Sequence, residues 1–411
     1  MMAERGTMRA RLVAALRSGD WLDRQRVLAY AAILGAFEIA LGLFWTLGAR
    51  NNLDPLGKPL GTDFLSFWSA SRLALDGTPA LAYDVVAHAG VQAAVTGGAP
   101  TGYFGFFYPP VFLLACLPLA LLPYGAALSV WLVATVTPLL FALRRLLGGL
   151  APLELAACLA FPALIINAGH GQNGFLSAAL FALACLCLDR RPLLAGLLLG
   201  AMIYKPQLAI LIPFVLAFSG RWRAFAGAAA GAALLVALSW LVLGGASWAA
   251  FLGGLGLVQQ TLADGFVEPA KMVSLYAALR LWHVPAPAAL LAQTAAALAV
   301  LMLVWHHARA ASAPLLMALC VTGTLLATPF ALDYDLTLLA LPLAVLLSAG
   351  RAGGFLPYEK TVLFAAFVLP LAVRPLGLLL LPAAPPIIAA LMALVVMRIR
   401  HAAAAAAARA P

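Results

Sequence analysis

Apolar runs of roughly 15–22 residues, separated by short polar clusters, repeat along almost the whole chain, and that is the length a helix needs to cross a bilayer. They predict spans at about 27–48, 111–142, 150–167, 172–189, 192–204, 206–219, 223–243, 286–306, 313–331, 335–349, 360–381 and 384–400. Two long polar stretches, 49–110 and 244–285, interrupt them. Residues 107–142 are long for one crossing and short for two. Pro118 and Pro123 break the run, so Pro109–Leu122 reads as a short, partly embedded helix and 124–142 as the span. In the first polar stretch Phe64, Phe67 and Trp68 recur at i, i+3 and i+4, with Leu75 further along. That spacing predicts an amphipathic helix on the outer membrane surface, ended by Asp76-Gly77, with a second surface helix from Tyr83-Asp84 to about Val95. The fold class is therefore an all-α polytopic membrane protein of about twelve transmembrane helices. Its expected parts are a cytoplasmic arm over 1–26, one transmembrane domain over 27–400, and a low-complexity tail, His401–Pro411.

Composition agrees with this pattern. Of 411 residues, 64% are hydrophobic and only 10% charged, against about 25% charged in a soluble chain. A cytosolic enzyme, a secreted disulfide scaffold and a disordered chain are excluded. The net charge of +10 does not indicate nucleic acid, because most Arg sits in short clusters between apolar runs, as cytoplasmic loop charge does. With both termini inside, all but seven of the 25 Lys and Arg fall on the cytoplasmic side. The seven outside are Arg50, Lys58, Arg72, Lys205, Lys271, Arg280 and Arg374. Arg5, Arg9, Arg11, Arg17, Arg24 and Arg26 precede the first span with no small-residue cleavage site after it, which reads as an uncleaved anchor. Cys116, Cys158, Cys185, Cys187 and Cys320 lie in apolar runs without metal or disulfide spacing and read as packing residues.

This topology places Asp63, His170, Gln172, Asn173, Lys205, Asp333 and Asp335 at the outer ends of spans. Polar groups near membrane depth are costly, so a convergent set of them marks a functional site. Asp63 opens the first surface helix, where it is either a first-turn carboxylate favoured by the helix dipole or a general base; the two roles are compatible. Asn167-Ala168-Gly169-His170-Gly171-Gln172-Asn173-Gly174 is either a polar turn leaving the bilayer or a ligand-binding loop, its glycines permitting close approach. Lys205-Pro206 divides an apolar run into two short halves, and Lys205 is either a snorkelling cation or a phosphate ligand. Asp333 and Asp335 either cap a loop, bind sugar hydroxyls, or pair with Lys205 or Arg72. Glu38 is expected to pair inside the bundle, and His306 and His307 to sit solvated in a cytoplasmic loop.

The set Thr62-Asp63-Phe64-Leu65-Ser66-Phe67-Trp68, Asp76-Gly77, Tyr83-Asp84, Phe107-Tyr108-Pro109-Pro110, Gly171-Gln172-Asn173 and Lys205-Pro206 resembles the integral-membrane glycosyltransferases of GT-C fold. More narrowly it resembles glycosyltransferase family 87, the polyprenyl-phosphate-mannose-dependent mannosyltransferases of bacteria. The resemblance runs in order over about residues 60–350, and the C-terminal spans are generic. It implies an enzyme of the bacterial inner membrane whose site faces away from the cytoplasm, with Asp63 as the base. Gln172, Asn173, Lys205 and His170 would bind the donor's phosphate and sugar, with Arg72 assisting and Asp333, Asp335 and Tyr108 secondary. The single Asp of the first-loop motif resembles metal-independent members, so neither metal nor cofactor is expected. The partners implied are a polyprenyl-phosphate-sugar donor, a glycolipid or glycan acceptor and membrane lipids. A transporter or lipid flippase is the rival class, but such proteins often pair broken helices in two repeated halves, and the Lys205-Pro206 break has no counterpart in the second half.

Overall fold

The computed structural model describes residues 2–149, 152–263 and 268–408. Among them the chain is helical, with isolated β-bridges only. An arm helix, α1 (Met2–Ser18), leads to α2 (Arg24–Leu47), whose N-cap Asp23 accepts the Arg26 N–H at 2.8 Å. The first long loop forms α3 (Thr62–Leu75) and α4 (Val85–Val95), the latter capped by Asp84. α5 (Pro110–Cys116) passes into a 3-10 turn, and Pro123 then starts α6 (Tyr124–Leu146). Short helices follow: α7 (Pro152–Leu159), α8 (Pro162–His170), α9 (Gly174–Cys187), α10 (Pro192–Gly200), α11 (Pro206–Ala209) and α12 (Ile212–Phe218). α13 (Trp222–Ala263) is kinked at Gly244, where φ is +77°. α14 (Leu275–Leu281), α15 (Ala286–His307) and α16 (Ala313–Ala327) come next. The 3-10 turn Asp333–Leu339 then enters α17 (Ala340–Gly353), followed by α18 (Glu359–Leu378) and α19 (Ala384–Ala407).

Among the described residues seven helical segments are long and apolar enough to cross a membrane: Arg24–Leu47, Tyr124–Leu146, Trp222–Gly256, Ala286–Ala310, Asp333–Gly353, Glu359–Leu378 and Ala384–Ala407. That is fewer than the twelve expected. The run 150–167 is split before Pro162 into α7 and α8, the run 192–204 passes from α10 into a 3-10 turn at Ala201, and the run 206–219 is divided between α11 and α12, whereas 172–189 is the single helix α9. The 14 residues of α9 rise only about 21 Å, short of a hydrocarbon core about 30 Å thick. α16 is shorter than its apolar run and nearly all of its side chains are buried. α9, α15, α17 and α19 pack against it, and hydropathy does not separate a neighbour made of protein from one made of lipid. The break before Pro123 agrees with the expected short helix ahead of α6.

Three local expectations are corrected. α3 does not present one wet face: Leu65, Ser66, Ser69 and Ala70 are buried as fully as Phe64 and Phe67, because α4, α5 and α8 enclose it. Glu38 is buried, but its Oε1 has no hydrogen-bond partner among the described residues. His307 is not solvated. It is buried in the last turn of α15, its Nδ1–H donating to the Leu303 carbonyl at 2.9 Å and its Nε2 accepting from Arg400 Nε at 3.1 Å; His306 is exposed. The Arg5 side chain, Arg409 and the end of the tail lie outside the described residues, and so do residues 264–267 of the second long loop.

Two features hold the elements that carry the site. Phe67 packs edge-on against Phe112 in α5 and Trp131 in α6, at ring separations of 4.9 and 6.1 Å. Burying each such ring contributes roughly 1.5–3 kcal/mol, and together they seat α3 on α5 and α6. At the far end of α18, Glu359 forms a buried ion pair with Arg398 of α19, whose Nη2 also donates to the Gly354 carbonyl at 2.7 Å.

Candidate active site

The site begins where two left-handed glycines meet. Gly61 (φ +61°) turns the chain into α3 and sets Thr62 and Asp63 in its first turn, while Gly171 (φ +59°) ends α8. A Cβ on Gly171 would lie 2.6 Å from Phe64 Cβ and 3.2 Å from Gly61 Cα, so the approach of the two backbones requires glycine. Trp131 clamps the turn by donating to the Gly171 carbonyl at 3.0 Å. Asn167 shapes it from inside, Nδ2 donating to the Gln172 carbonyl at 3.1 Å and Oδ1 accepting the Gly174 N–H at 2.9 Å.

This turn delivers Gln172 to Asp63. Gln172 Nε2 donates to Asp63 Oδ2 at 3.0 Å, while its Oε1 accepts from the Tyr108 hydroxyl at 3.1 Å and the Asn173 N–H at 2.7 Å. Both ends of the amide are committed, which fixes its orientation. Beyond it lies Lys205, at the break between α10 and α11 and 2% exposed. Its ammonium donates to Asn173 Oδ1 at 3.0 Å and to Asp335 Oδ1 at 2.6 Å, and sits 5.2 Å from the centre of the Tyr334 ring. The other oxygen of Asp335 accepts the Leu332 N–H at 3.0 Å. Asn173 Nδ2 is buried and has no partner among the described residues.

On the other side of Asp63 stands His170. Arg374 of α18 pairs with buried Asp333 and sends Nη2 to His170 Nε2 at 2.8 Å. A guanidinium can only donate, so Nε2 accepts and the proton of the neutral ring is on Nδ1. That Nδ1–H faces Thr62 Oγ1 at 2.9 Å and Asp63 Oδ2 at 3.8 Å. Burial lowers the His170 pKa below the ordinary imidazole value; Asp63 opposes this and Arg374 adds to it. Burial raises the Asp63 carboxyl above the ordinary carboxylate range, against the pull of His170, Gln172 and Lys205.

Of the residues singled out in the sequence, Asp63, Tyr108, His170, Gln172, Asn173, Lys205, Asp333 and Asp335 thus join one network. Arg72 is not part of it. It lies nine residues beyond Asp63 along α3, about 13 Å at the helical rise, half-exposed and paired with Asp76, the pairing raising its pKa and lowering that of Asp76. Sequence reasoning missed Arg374, Thr62 and Tyr334 as members of the site. Arg374 carried a signal, being a lone charge within the last third of an apolar run. Among the described residues no three of His, Cys, Asp or Glu are grouped to hold a metal ion.

The family model of glycosyltransferase family 87 matches residues 106–329, more than half of the chain. The matched segment holds Tyr108, His170, Gln172, Asn173 and Lys205; Asp63, Asp333, Asp335 and Arg374 lie outside it. No curated protein and no solved structure matches the chain. A match of this extent, on a helical membrane architecture, places the chain in a family of membrane glycosyltransferases: it belongs to glycosyltransferase family 87.

Proposed function

We propose that the protein transfers a sugar, mannose by family analogy, from a polyprenyl-phosphate donor to a hydroxyl of a glycolipid or glycan, on the outer face of a bacterial inner membrane. Sugar nucleotides are cytoplasmic, so a transferase working on the outer face draws its donor from lipid. The N-terminal arm is then cytoplasmic, as its cluster of Arg indicates. The acceptor oxygen attacks the anomeric carbon, the bond from that carbon to the phosphate oxygen breaks, and its electron pair leaves with the polyprenyl phosphate. The acceptor proton passes to Asp63, and displacement from the opposite face inverts the carbon. No metal or other cofactor is assigned a part.

The observation that carries this reading is the pairing of three neighbouring carboxylates. Asp335 is held by Lys205 and Asp333 by Arg374, whereas Asp63 meets no Lys or Arg within salt-bridge distance among the described residues. Its contacts are the Gln172 amide and the edge of a neutral imidazole. It is therefore the carboxylate free to gain a proton, and burial brings its basicity closer to that of a general base working near neutrality. His170 and Gln172 position the Asp63 carboxylate, and the buried Asn173 holds the Lys205 ammonium. Lys205 works from below, its charge balanced by Asp335 and its N–H groups orienting Asn173.

The test is Asp63→Asn in detergent-purified protein given labelled lipid-linked sugar. The variant keeps the Gln172 hydrogen bond and loses the base, so transfer falls by about a thousandfold or more while thermal stability is unchanged or raised, since a partly buried charge with no Lys or Arg beside it is removed. In the wild type the acid limb of the rate profile lies above the ordinary carboxylate pKa. Near-normal transfer by Asp63→Asn removes Asp63 from the role.

A further inference from the structure

The donor proposed above leaves as a phosphate, and a cation must face it. Lys205 is poorly placed: it is 2% exposed, and its ammonium is already shared between Asp335 and Asn173. Arg374 differs on each count. Its side chain is 38% exposed. Only Nε and one N–H of Nη2 are engaged, by Asp333 and His170, so three of its five N–H donors remain for a ligand. Asp333 is rigid, 1% exposed, its second oxygen accepting the Tyr334 N–H at 2.9 Å. It fixes the guanidinium plane while leaving an edge open, the geometry suited to bidentate recognition of phosphate.

The helix that carries Arg374 also supplies a surface for a hydrocarbon. Leu371 and Leu378, at i−3 and i+4 from Arg374, share its face of α18 and are 38% and 74% exposed. Leu379, Leu380 and Leu381 continue the exposed apolar surface past the helix end. Arg374 thus sits near the end of a membrane-length helix, in line with a leucine stripe on one side and bonded to His170 on the other. Asp63 is one imidazole ring beyond it. In-line displacement needs its base and its phosphate ligand on opposite faces of one sugar carbon, and the His170 ring sets that separation.

We infer that Arg374 is the ligand of the donor phosphate, with Asp333 as its positioning residue, and that the isoprenoid chain of the donor lies along the exposed leucines of α18. This rests on the transfer reading above. It assigns the leaving group to α18 and the proton to α3, with His170 between them. When the carbon–oxygen bond breaks, the charge arriving on the phosphate oxygens meets the guanidinium, and the acceptor proton goes to Asp63.

The test uses full-length protein in nanodiscs and measures binding of farnesyl phosphate, farnesol and inorganic phosphate. The wild type is expected to bind farnesyl phosphate at least tenfold tighter than either of the others. Arg374→Gln combined with Asp333→Asn removes both charges, so no unpaired carboxylate is left to unfold the protein, and is expected to erase the preference over farnesol. Arg374→Lys keeps the charge without the fork and is expected to retain part of it. Should the wild type itself fail to prefer farnesyl phosphate over farnesol, the lipid-phosphate donor is wrong. If the wild type shows the preference and the folded double variant retains it in full, the donor class stands and the assignment to Arg374 is overturned. Inorganic phosphate binding as tightly as farnesyl phosphate overturns the leucine path.

Discussion

Replacing Asp335 with Asn removes the carboxylate charge that pairs with the Lys205 ammonium and leaves it only neutral amide oxygens and the Tyr334 ring. Nζ and Oδ1 are 2.6 Å apart and both side chains are 3% exposed. At an effective dielectric constant near 20, the Coulomb attraction over that separation is about 6 kcal/mol. Desolvation of the two groups offsets much of it, so the net worth of the pair is small. The cost of breaking it from one side is not, because a buried charge is then uncompensated: about 3–5 kcal/mol. The assay is reversible unfolding of the purified protein by SDS, read by tryptophan fluorescence, on wild type, Asp335→Asn, Lys205→Met and the double variant. Asp335→Asn is expected to lose about 3–5 kcal/mol and the double variant at least about 2 kcal/mol less than the sum of the singles. Additive losses across the cycle would refute the pair as an electrostatic unit.

Two further variants probe the scaffold. Gly171→Ala forces a left-handed residue to carry a Cβ 2.6 Å from Phe64 Cβ; it is expected to cost about 1–3 kcal/mol in the same unfolding assay. It should also lower sugar transfer by displacing Gln172 from Asp63, and full activity with unchanged stability would contradict the close-approach argument. His88 in α4 is fully buried, Nε2–H donating to the Ser66 carbonyl at 3.0 Å and Nδ1 facing the Tyr103 hydroxyl at 3.2 Å, and burial lowers its pKa to about 4. Below the unfolded value of about 6.5 the unfolded chain takes up the proton first. The stability this histidine holds above that pH is therefore lost as pH falls toward 4, up to about 3 kcal/mol. Unfolding measured from pH 7 to pH 4.5 should flatten in His88→Gln, and an equal slope in both proteins would assign the effect elsewhere.

Legibility in the sequence followed the range of the interaction. Long apolar runs and scarce charge were enough for a bundle of membrane helices, because a bilayer offers the backbone no partner but itself. Local steric rules also carried through. Pro123 and Pro206 restart helices, Asp84 caps α4, and Gly171 takes the left-handed turn that joins α8 to α9. The burial of α16 and of both faces of α3 was not legible, since an apolar side chain has the same hydropathy whether protein or lipid surrounds it. Nor were the partners of the charges. Arg72 is held by Asp76 four residues away, but Arg374 finds Asp333 across 41 residues and Lys205 finds Asp335 across 130. Which carboxylate is left unpaired to accept a proton depends on those distant meetings, because a buried charge is neutralised by whichever opposite charge the packing of helices brings beside it.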